Sequence, residues 1–332
     1  MKKLFFILAC VAMSVLAMGQ VNQLVWANGR LLYGTPIESI DSLTYDEMED
    51  VDTLHLLLPR TLIKVVYDTV YIHDTVYIET DCGGDENTPT QGIGVFSVGE
   101  GKTVTFSKGN LQYTQSTNTW SFAENQYDYL GEANIAIDAD VLADKVDLFG
   151  WSTGATNFGV STSENNADYS GSFVDWGTNQ IGDEAPNTWR TLTYYEWDYL
   201  LNNRTNANDL CGVAQVNGVN GLIFLPDDWT CPAGITFKSG FHSSYGVDYY
   251  AANQTFTAEQ WSKLEAAGAV FLPAAGYRNG SNVYNVQNHG FYWSATEDYS
   301  SSAFSLLFSS GGASMRGYHR SFGLSVRLVK DL

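Results

Sequence analysis

Charge is scarce in this chain, and positive charge scarcest. Of its 332 residues only 16% are charged, and 17 Lys and Arg stand against 37 Asp and Glu, a formal net charge of −20. So few cations leave no electrostatic footprint for a phosphate backbone or an anionic lipid surface, so nucleic acid and acidic membranes are excluded as partners. Acidity could suit calcium, yet no loop has the D-x-[DN]-x-[DN]-G spacing of an EF-hand. The acidic stretch of Asp138, Asp140, Asp144 and Asp147 reads instead as a solvated face.

Catalytic signatures are missing as well. There is no H-E-x-x-H and no G-x-S-x-G, and past residue 93 histidine occurs only at His242, His289 and His319. A metal triad from such distant residues has no local support, so no metal and no cofactor is expected. His289, between Asn288 and Gly290, reads as a loop residue. Gly101-Lys102-Thr103 resembles the end of a phosphate loop, but Phe96 occupies the place of its first glycine and the chain runs on as a strand. Asp227-Asp228-Trp229 offers adjacent carboxylates, which on a strand would point to opposite faces. It reads as a turn before a buried tryptophan, and Trp189, Trp229 and Trp293 are assigned to the core.

Long apolar runs are confined to the start. Lys2 and Lys3 followed by the apolar residues 4–17 make a secretory signal over residues 1–19, with Ala17 and Gly19 as the small residues before cleavage. Leu8-Ala9-Cys10 is the rival, a lipoprotein-like box. No later segment is long and apolar enough to cross a bilayer, so the mature chain is expected to be exported, at the cell surface or outside the cell, with the periplasm as the other compartment. Beyond the signal, cysteine occurs at Cys82, Cys211 and Cys231 alone. An oxidising compartment permits a Cys211–Cys231 disulfide, worth about 3 kcal/mol, with Cys82 left over.

What is present is aromatic and hydroxylic, most densely in residues 271–332. In residues 303–309, Phe304, Leu306 and Phe308 fall on one face of a strand and Ser305, Leu307 and Ser309 on the other. In residues 324–329 the same period groups Leu324, Val326 and Leu328 against Ser325 and Arg327. Between them, residues 311–322 are rich in Gly, Ser, Arg, Tyr and His. Rigid aromatics with short polar groups make a recognition surface, while the same composition also suits half-exposed strands and hairpin loops. Within it, Arg316-Gly317-Tyr318-His319-Arg320 sets two cations beside an aromatic ring and an imidazole, suited to an acidic or aromatic ligand group.

Residues 20–60 form a small β-rich segment, in which Asn28-Gly29 between two apolar runs marks a hairpin. Residues 61–93 hold a six-residue repeat, Tyr67-Asp68-Thr69-Val70-Tyr71-Ile72 and then His73-Asp74-Thr75-Val76-Tyr77-Ile78. The segment 61–80 is expected to be an extended spacer or a strand-pairing element for self-assembly, ending in a flexible joint at 83–91. Residues 94–332 are the main domain, expected to be α+β. Short strands open it at 95–98, 103–107, 111–114 and 119–122. Capping boxes at Thr193-x-x-Glu196 and Thr257-x-x-Gln260 start helices over 194–202 and 258–267, burying Trp197, Leu200 and Leu201 on the first and Trp261 and Leu264 on the second.

Six stretches carry a family likeness: Phe106-Ser107-Lys108-Gly109-Asn110-Leu111-Gln112-Tyr113, Trp189-Arg190-Thr191-Leu192-Thr193, Leu225-Pro226-Asp227-Asp228-Trp229, Phe271-Leu272-Pro273-Ala274-Ala275-Gly276-Tyr277-Arg278, Tyr292-Trp293-Ser294-Ala295-Thr296 and Ser325-Val326-Arg327-Leu328. The domain they span resembles the C-type-lectin-like fold in its bacterial branch, which includes formylglycine-generating enzymes and the "major paralogous domain" proteins of gut anaerobes. Domains of this kind are similar to the targets of diversity-generating retroelements. That resemblance implies Ser305, Leu307, Ser309, Gly312, Ser314, Arg316, Gly317, Tyr318, His319 and Phe322 as variable contact positions. Formylglycine-generating enzymes work through cysteines late in the domain, and this chain has none after Cys231. Nor does it have the E-P-N or Q-P-D with W-N-D of calcium-dependent sugar lectins. Four triplets resemble the D-[S/T]-aliphatic acceptor of bacterial O-glycosylation, with acceptors Ser42, Thr53, Thr69 and Thr75.

The leading expectation is therefore a non-enzymatic adhesin or receptor-like protein that binds a protein or glycan ligand at the cell surface. Its contacts would come from Tyr299, Ser305, Leu307, Ser309, Gly312, Ser314, Arg316, Tyr318, His319 and Phe322. The alternatives are a subunit or tip of a surface assembly and, third, an enzyme whose catalytic residues the sequence does not identify.

Overall fold

The computed structural model describes residues 94–138 and 141–332, side chains of 136–142 apart, together with the backbone of four strands nearer the start. The chain divides into two compact units, Met1–Asn87 and Thr88–Leu332. The division falls inside the stretch 83–91 expected as a joint.

In the first unit Asn22–Ala27 pairs antiparallel with Arg30–Pro36, Ala27 standing opposite Arg30. A second hairpin pairs Thr53–Leu58 with Thr61–Val66. The expected division at residue 60 lies between these two paired strands. An extended spacer cannot begin at Thr61, because residues 61–66 already pair within the chain. The expected signal over residues 1–19 with Cys10, and Ser42, the repeat with Thr69 and Thr75, and Cys82, lie outside the described residues. Thr53 opens a strand.

The second unit is α+β, built of small sheets that are almost entirely antiparallel. One sheet runs in the order Arg190–Thr191, Leu328–Asp331, Lys102–Phe106 and Phe96–Gly99, so the last strand of the chain pairs with one of the first strands of the unit. A second runs Thr255–Phe256, Cys211–Val216, Val219–Phe224 and Val270–Pro273, with the first pair parallel. A third joins Lys145–Val146, Leu111–Thr114 and Thr119–Phe122.

Both capping boxes form. Thr193 accepts from the Glu196 N–H while Glu196 accepts in return, opening the helix Tyr194–Asp198, which continues as a π-turn over Tyr199–Asn203. Thr257 and Gln260 do the same for Ala258–Ala266. Trp197, Leu200, Leu201, Trp261 and Leu264 are buried, as their spacing requires. A short helix at Asp248–Asn253, which no capping signal announced, adds Tyr250 to the core.

The C-terminal sheet contains three strands, His289–Tyr299, Ser302–Ser309 and Gly312–His319, in that order. It is wedged between two hydrophobic layers. Tyr292, Leu306 and Phe308 on one face join Phe96, Phe106, Trp197 and Leu272. Phe291, Trp293 and Ala303 on the other join Trp120, Phe149, Trp151, Leu324 and Val326. Phe308 crosses the first strand directly over Gly290, where any Cβ would overlap its ring, so glycine is needed for that packing.

Four expectations change. His289 is the half-buried first residue of a strand, stacked on Phe291. Residues 312–319, read as the connection between two strands, form a strand themselves. Residues 324–329 bury both faces, Ser325 and Arg327 included, and regular pairing begins only at Leu328. Asp147, placed on a solvated acidic face, is fully buried. Trp293 is buried as expected, whereas Trp189 and Trp229 are half-buried against the core.

Candidate functional site

The site is built from the alternation of the C-terminal sheet. Ser310 and Gly311 make a tight turn, and Ser309 faces Gly312 across it. A pair flanking such a turn is hydrogen-bonded, and pairs alternate from there. Gly312, Ser314, Arg316 and Tyr318 therefore bond inward to Ser309, Leu307, Ser305 and Ala303. Their side chains share the face carrying Phe291 and Trp293.

On that face the aromatic rings gather. Tyr318 meets Phe291 edge-on with ring centres 5.2 Å apart and tilts against Phe322 at 6.4 Å. Phe322 stacks on Tyr277 at 5.2 Å, and Tyr277 stacks in turn on Tyr284 at 5.4 Å. His319 stands edge-on to Phe322 at 5.5 Å. Phe291 is the buried floor; Tyr277, Tyr318 and Phe322 are half-buried, and Tyr284 and His319 are exposed. Desolvation pushes the Tyr318 phenol above its ordinary range, opposed by the nearby Arg316 guanidinium, so it stays a neutral hydroxyl at pH 7.

Two supports fix the group. The hairpin Tyr277–Asn279 with Asn282–Tyr284 sets Tyr277 directly opposite Tyr284. Arg278, between the two exposed sides, turns inward and donates to the carbonyls of Gly280 (3.1 Å) and Ser161 (2.9 Å). Its backbone exchanges two 2.8 Å hydrogen bonds with Gly323, the residue after Phe322. On the other side, Asn166 donates from its amide nitrogen to His319 Nδ1 (2.9 Å) and accepts from the Ser321 N–H (3.2 Å). That fixes the tautomer with the proton on Nε2.

Arg316 is exposed, and among the described residues no carboxylate or other acceptor holds its guanidinium. Close by in sequence, Arg320 is buried. It is paired with Glu297, donates to the carbonyl of Tyr299 (3.0 Å) and lies 4.5 Å from the centre of the Trp151 ring.

The expected contact residues therefore divide. Arg316, Tyr318, His319 and Phe322 come together, with half-buried Leu307 and Ser314 beside them and Gly312 open at the strand's start. Ser305 and Ser309 lie on the right face but are buried, Ser305 completely, between Trp293 and Arg316 on the neighbouring strands. A ligand cannot touch them, which corrects their assignment. Gly317 is exposed but belongs to the opposite face, where a side chain would run into the Asp298 carboxylate. Tyr299 is 73% exposed at the end of the first strand, and no ring contact among the described residues ties it to the group. Tyr277, Tyr284 and Asn166 were missed. The signal for the tyrosines was Asn279-Gly280-Ser281-Asn282, a hairpin turn with a tyrosine two residues out on each side.

The strongly shifted groups elsewhere serve the fold. Desolvation lifts Asp147 to about 6, against hydrogen bonds from Asn134 and the Leu130 N–H. Cys211 is pushed up to about 12 by burial and is a free thiol, and so is the exposed Cys231. The Cys211–Cys231 disulfide is therefore not formed, one partner being sealed in the core and the other outside it. Among the described residues no three His, Cys, Asp or Glu side chains come together as a metal site. No helix there is long and apolar enough to cross a membrane.

A family model described only as a domain of unknown function, DUF8237, matches residues 251–329. That span covers the whole C-terminal sheet and the Tyr277–Tyr284 hairpin. No curated protein and no solved structure matches the chain.

Proposed function

We propose that this is an exported ligand-binding protein whose C-type-lectin-like domain presents the Tyr277, Tyr284, Tyr318 and Phe322 group, with Arg316 and His319, to a protein or glycan at the cell surface. The observation that carries the reading is this group itself: half-exposed rings held by a buried arginine and a fixed amide, beside an arginine with no partner of its own. Fixed aromatics supply contact area at low entropic cost, and an unpaired guanidinium supplies a directional donor for a carboxylate. The α+β class and the pairing of the closing strand with one of the unit's first support a C-type-lectin-like domain. A group built for contact supports recognition as the reading.

The test is to probe a glycan array and a peptide library with the full chain and with its Arg316→Ala/Tyr318→Ala/Phe322→Ala variant. Ligands of the native chain should bind the folded variant at least about tenfold more weakly, the loss of 1.4 kcal/mol or more. Ligands that bind both chains equally would contradict the reading.

A further inference from the structure

The strand Gly312–His319 is the edge of its sheet, and none of its residues is buried. Since Gly312, Ser314, Arg316 and Tyr318 bond inward, the N–H and C=O groups of Ala313, Met315 and Gly317 point outward. No backbone or side-chain bond to any of these outward groups exists among the described residues. An edge of this length is an invitation to pair, and proteins usually blunt it with proline, lysine or a bulge. This strand has no proline, no lysine and no register shift against its neighbour. Its one cation, Arg316, is the unpaired arginine of the aromatic face.

We propose that this edge takes an extended polypeptide by strand addition, with an acidic side chain set against Arg316. The proposal rests on the ligand-binding reading above and narrows its ligand from protein or glycan to a polypeptide segment. Main-chain bonds to Ala313, Met315 and Gly317 would supply affinity. Side chains of the added strand alternate. Those on the aromatic side meet Ser314, Arg316 and Tyr318 in turn, so the sequence they favour is a carboxylate flanked at two-residue spacing by a small or β-branched residue and an apolar one. The opposite side runs beside Ala313 and Met315, which pack against the hydrophobic core, and beside Gly317 next to the Asp298 carboxylate, so small uncharged residues are favoured there. Charge complementarity chooses the occupant: in a chain of net charge −20, a free exposed arginine beside open backbone groups selects an acidic strand.

The probe is a phage-displayed library of random peptides, about twelve residues long so that the added strand can span the edge, panned on the full-length protein. Three variants read the result. Met315→Pro removes an outward N–H and leaves the inward bonds of the strand in place; proline is tolerated on an edge of this kind. Met315→Leu repacks the same side chain and keeps the N–H. Arg316→Glu reverses the charge at an exposed position. Peptides enriched on the native chain should carry an acidic residue at a fixed place among β-branched neighbours. They should bind Met315→Pro and Arg316→Glu at least about tenfold more weakly, and Met315→Leu, which keeps the N–H, clearly more tightly than Met315→Pro. Panning on Arg316→Glu should replace the acidic residue with Lys or Arg. If Met315→Pro does not fold, the Arg316→Glu swap decides alone.

Strand addition is overturned if no peptide is enriched, or if the enriched peptides bind all three variants as they bind the native chain. Glycan binding lost in the triple alanine variant but untouched by Met315→Pro would overturn it too, while leaving the ligand-binding reading intact. Binding of every ligand unchanged in the triple alanine variant would bring down both.

Discussion

Residues 312–319 and residues 320–329 are adjacent, both mix Ser, Gly and Arg with hydrophobic residues, and their fates are opposite. In the first stretch nothing is buried, and among the described residues no ion pair holds Arg316. In the second everything is buried except half-buried Phe322, and Arg320 and Arg327 are sealed inside. The difference is the supply of acceptors. Arg320 finds Glu297 and the carbonyls of Tyr299, Tyr169 and Gly171. Arg327 finds Asn110 (3.3 Å) and Gln126 (2.6 Å) from the other end of the unit. Removing a guanidinium from water is affordable only where its donors are met. Where acceptors converge, arginine holds the fold together; where none do, it stays in contact with water.

The sharpest way to break this contrast is to remove each arginine in turn. Arg320→Ala leaves the carbonyls of Tyr299, Tyr169 and Gly171 unmet and a void beside Trp151, and should cost about 2–4 kcal/mol in denaturant unfolding, while the exposed Glu297 carboxylate turns to water. Arg316→Ala, with nothing to strand, should stay within about 0.5 kcal/mol of the native chain. Equal losses would erase the distinction.

The buried layer has a signature in pH. Asp147 lies two residues before Phe149, which exchanges 2.9 Å backbone bonds with Leu324. Its carboxyl is raised from its ordinary 3.8 to about 6, so the folded state holds the proton more tightly than the unfolded one. The stability this gives is present below about pH 4 and is lost as the pH rises through about 6. Compared with Asp147→Asn at each pH, the native chain should lose about 3 kcal/mol between pH 4 and pH 7. A difference that does not change with pH would place Asp147 in contact with water.

Phe322 belongs to both stretches, half-buried against Tyr277 and Tyr318. Phe322→Ala should therefore cost about 1–2 kcal/mol, less than a fully buried ring, and should also weaken ligand binding. Loss of stability alone would move it from the site to the core. The smallest effect concerns the cysteines: a thiol-alkylating reagent should modify Cys231 in the native protein without changing its stability, and should reach Cys211 only on unfolding.

Much of the frame was legible in the sequence because it is local. Both capping boxes, the Asn28-Gly29 hairpin and the alternation of residues 303–309 rest on neighbours within a few positions. Long-range partners were not legible. Ser325 and Arg327 alternate with apolar residues as on an exposed face, and only distant Asn110 and Gln126 make the burial of Arg327 tolerable. Glycine and serine made residues 312–319 look like a loop, although the strand they form needs only a neighbour to pair with. Of the residues singled out in the sequence, Arg316, Tyr318, His319 and Phe322 come together in the structure. Tyr277 and Tyr284, which stack beside them, arrive from a different hairpin. Ser305 and Ser309 were lost because alternation tells which face a residue occupies, not how deeply that face is covered.

The most direct test of the free edge and the sealed segment is amide hydrogen exchange of the full chain, read residue by residue. Ser314, Arg316 and Tyr318 should be protected, and Ala313, Met315 and Gly317 should exchange as open amides. The amides of Leu324 and Ser325, bonded to Phe149 and Phe291, should be protected as well. Uniform protection across residues 312–319 would show that the chain already covers this edge, and would contradict a surface kept open for a partner.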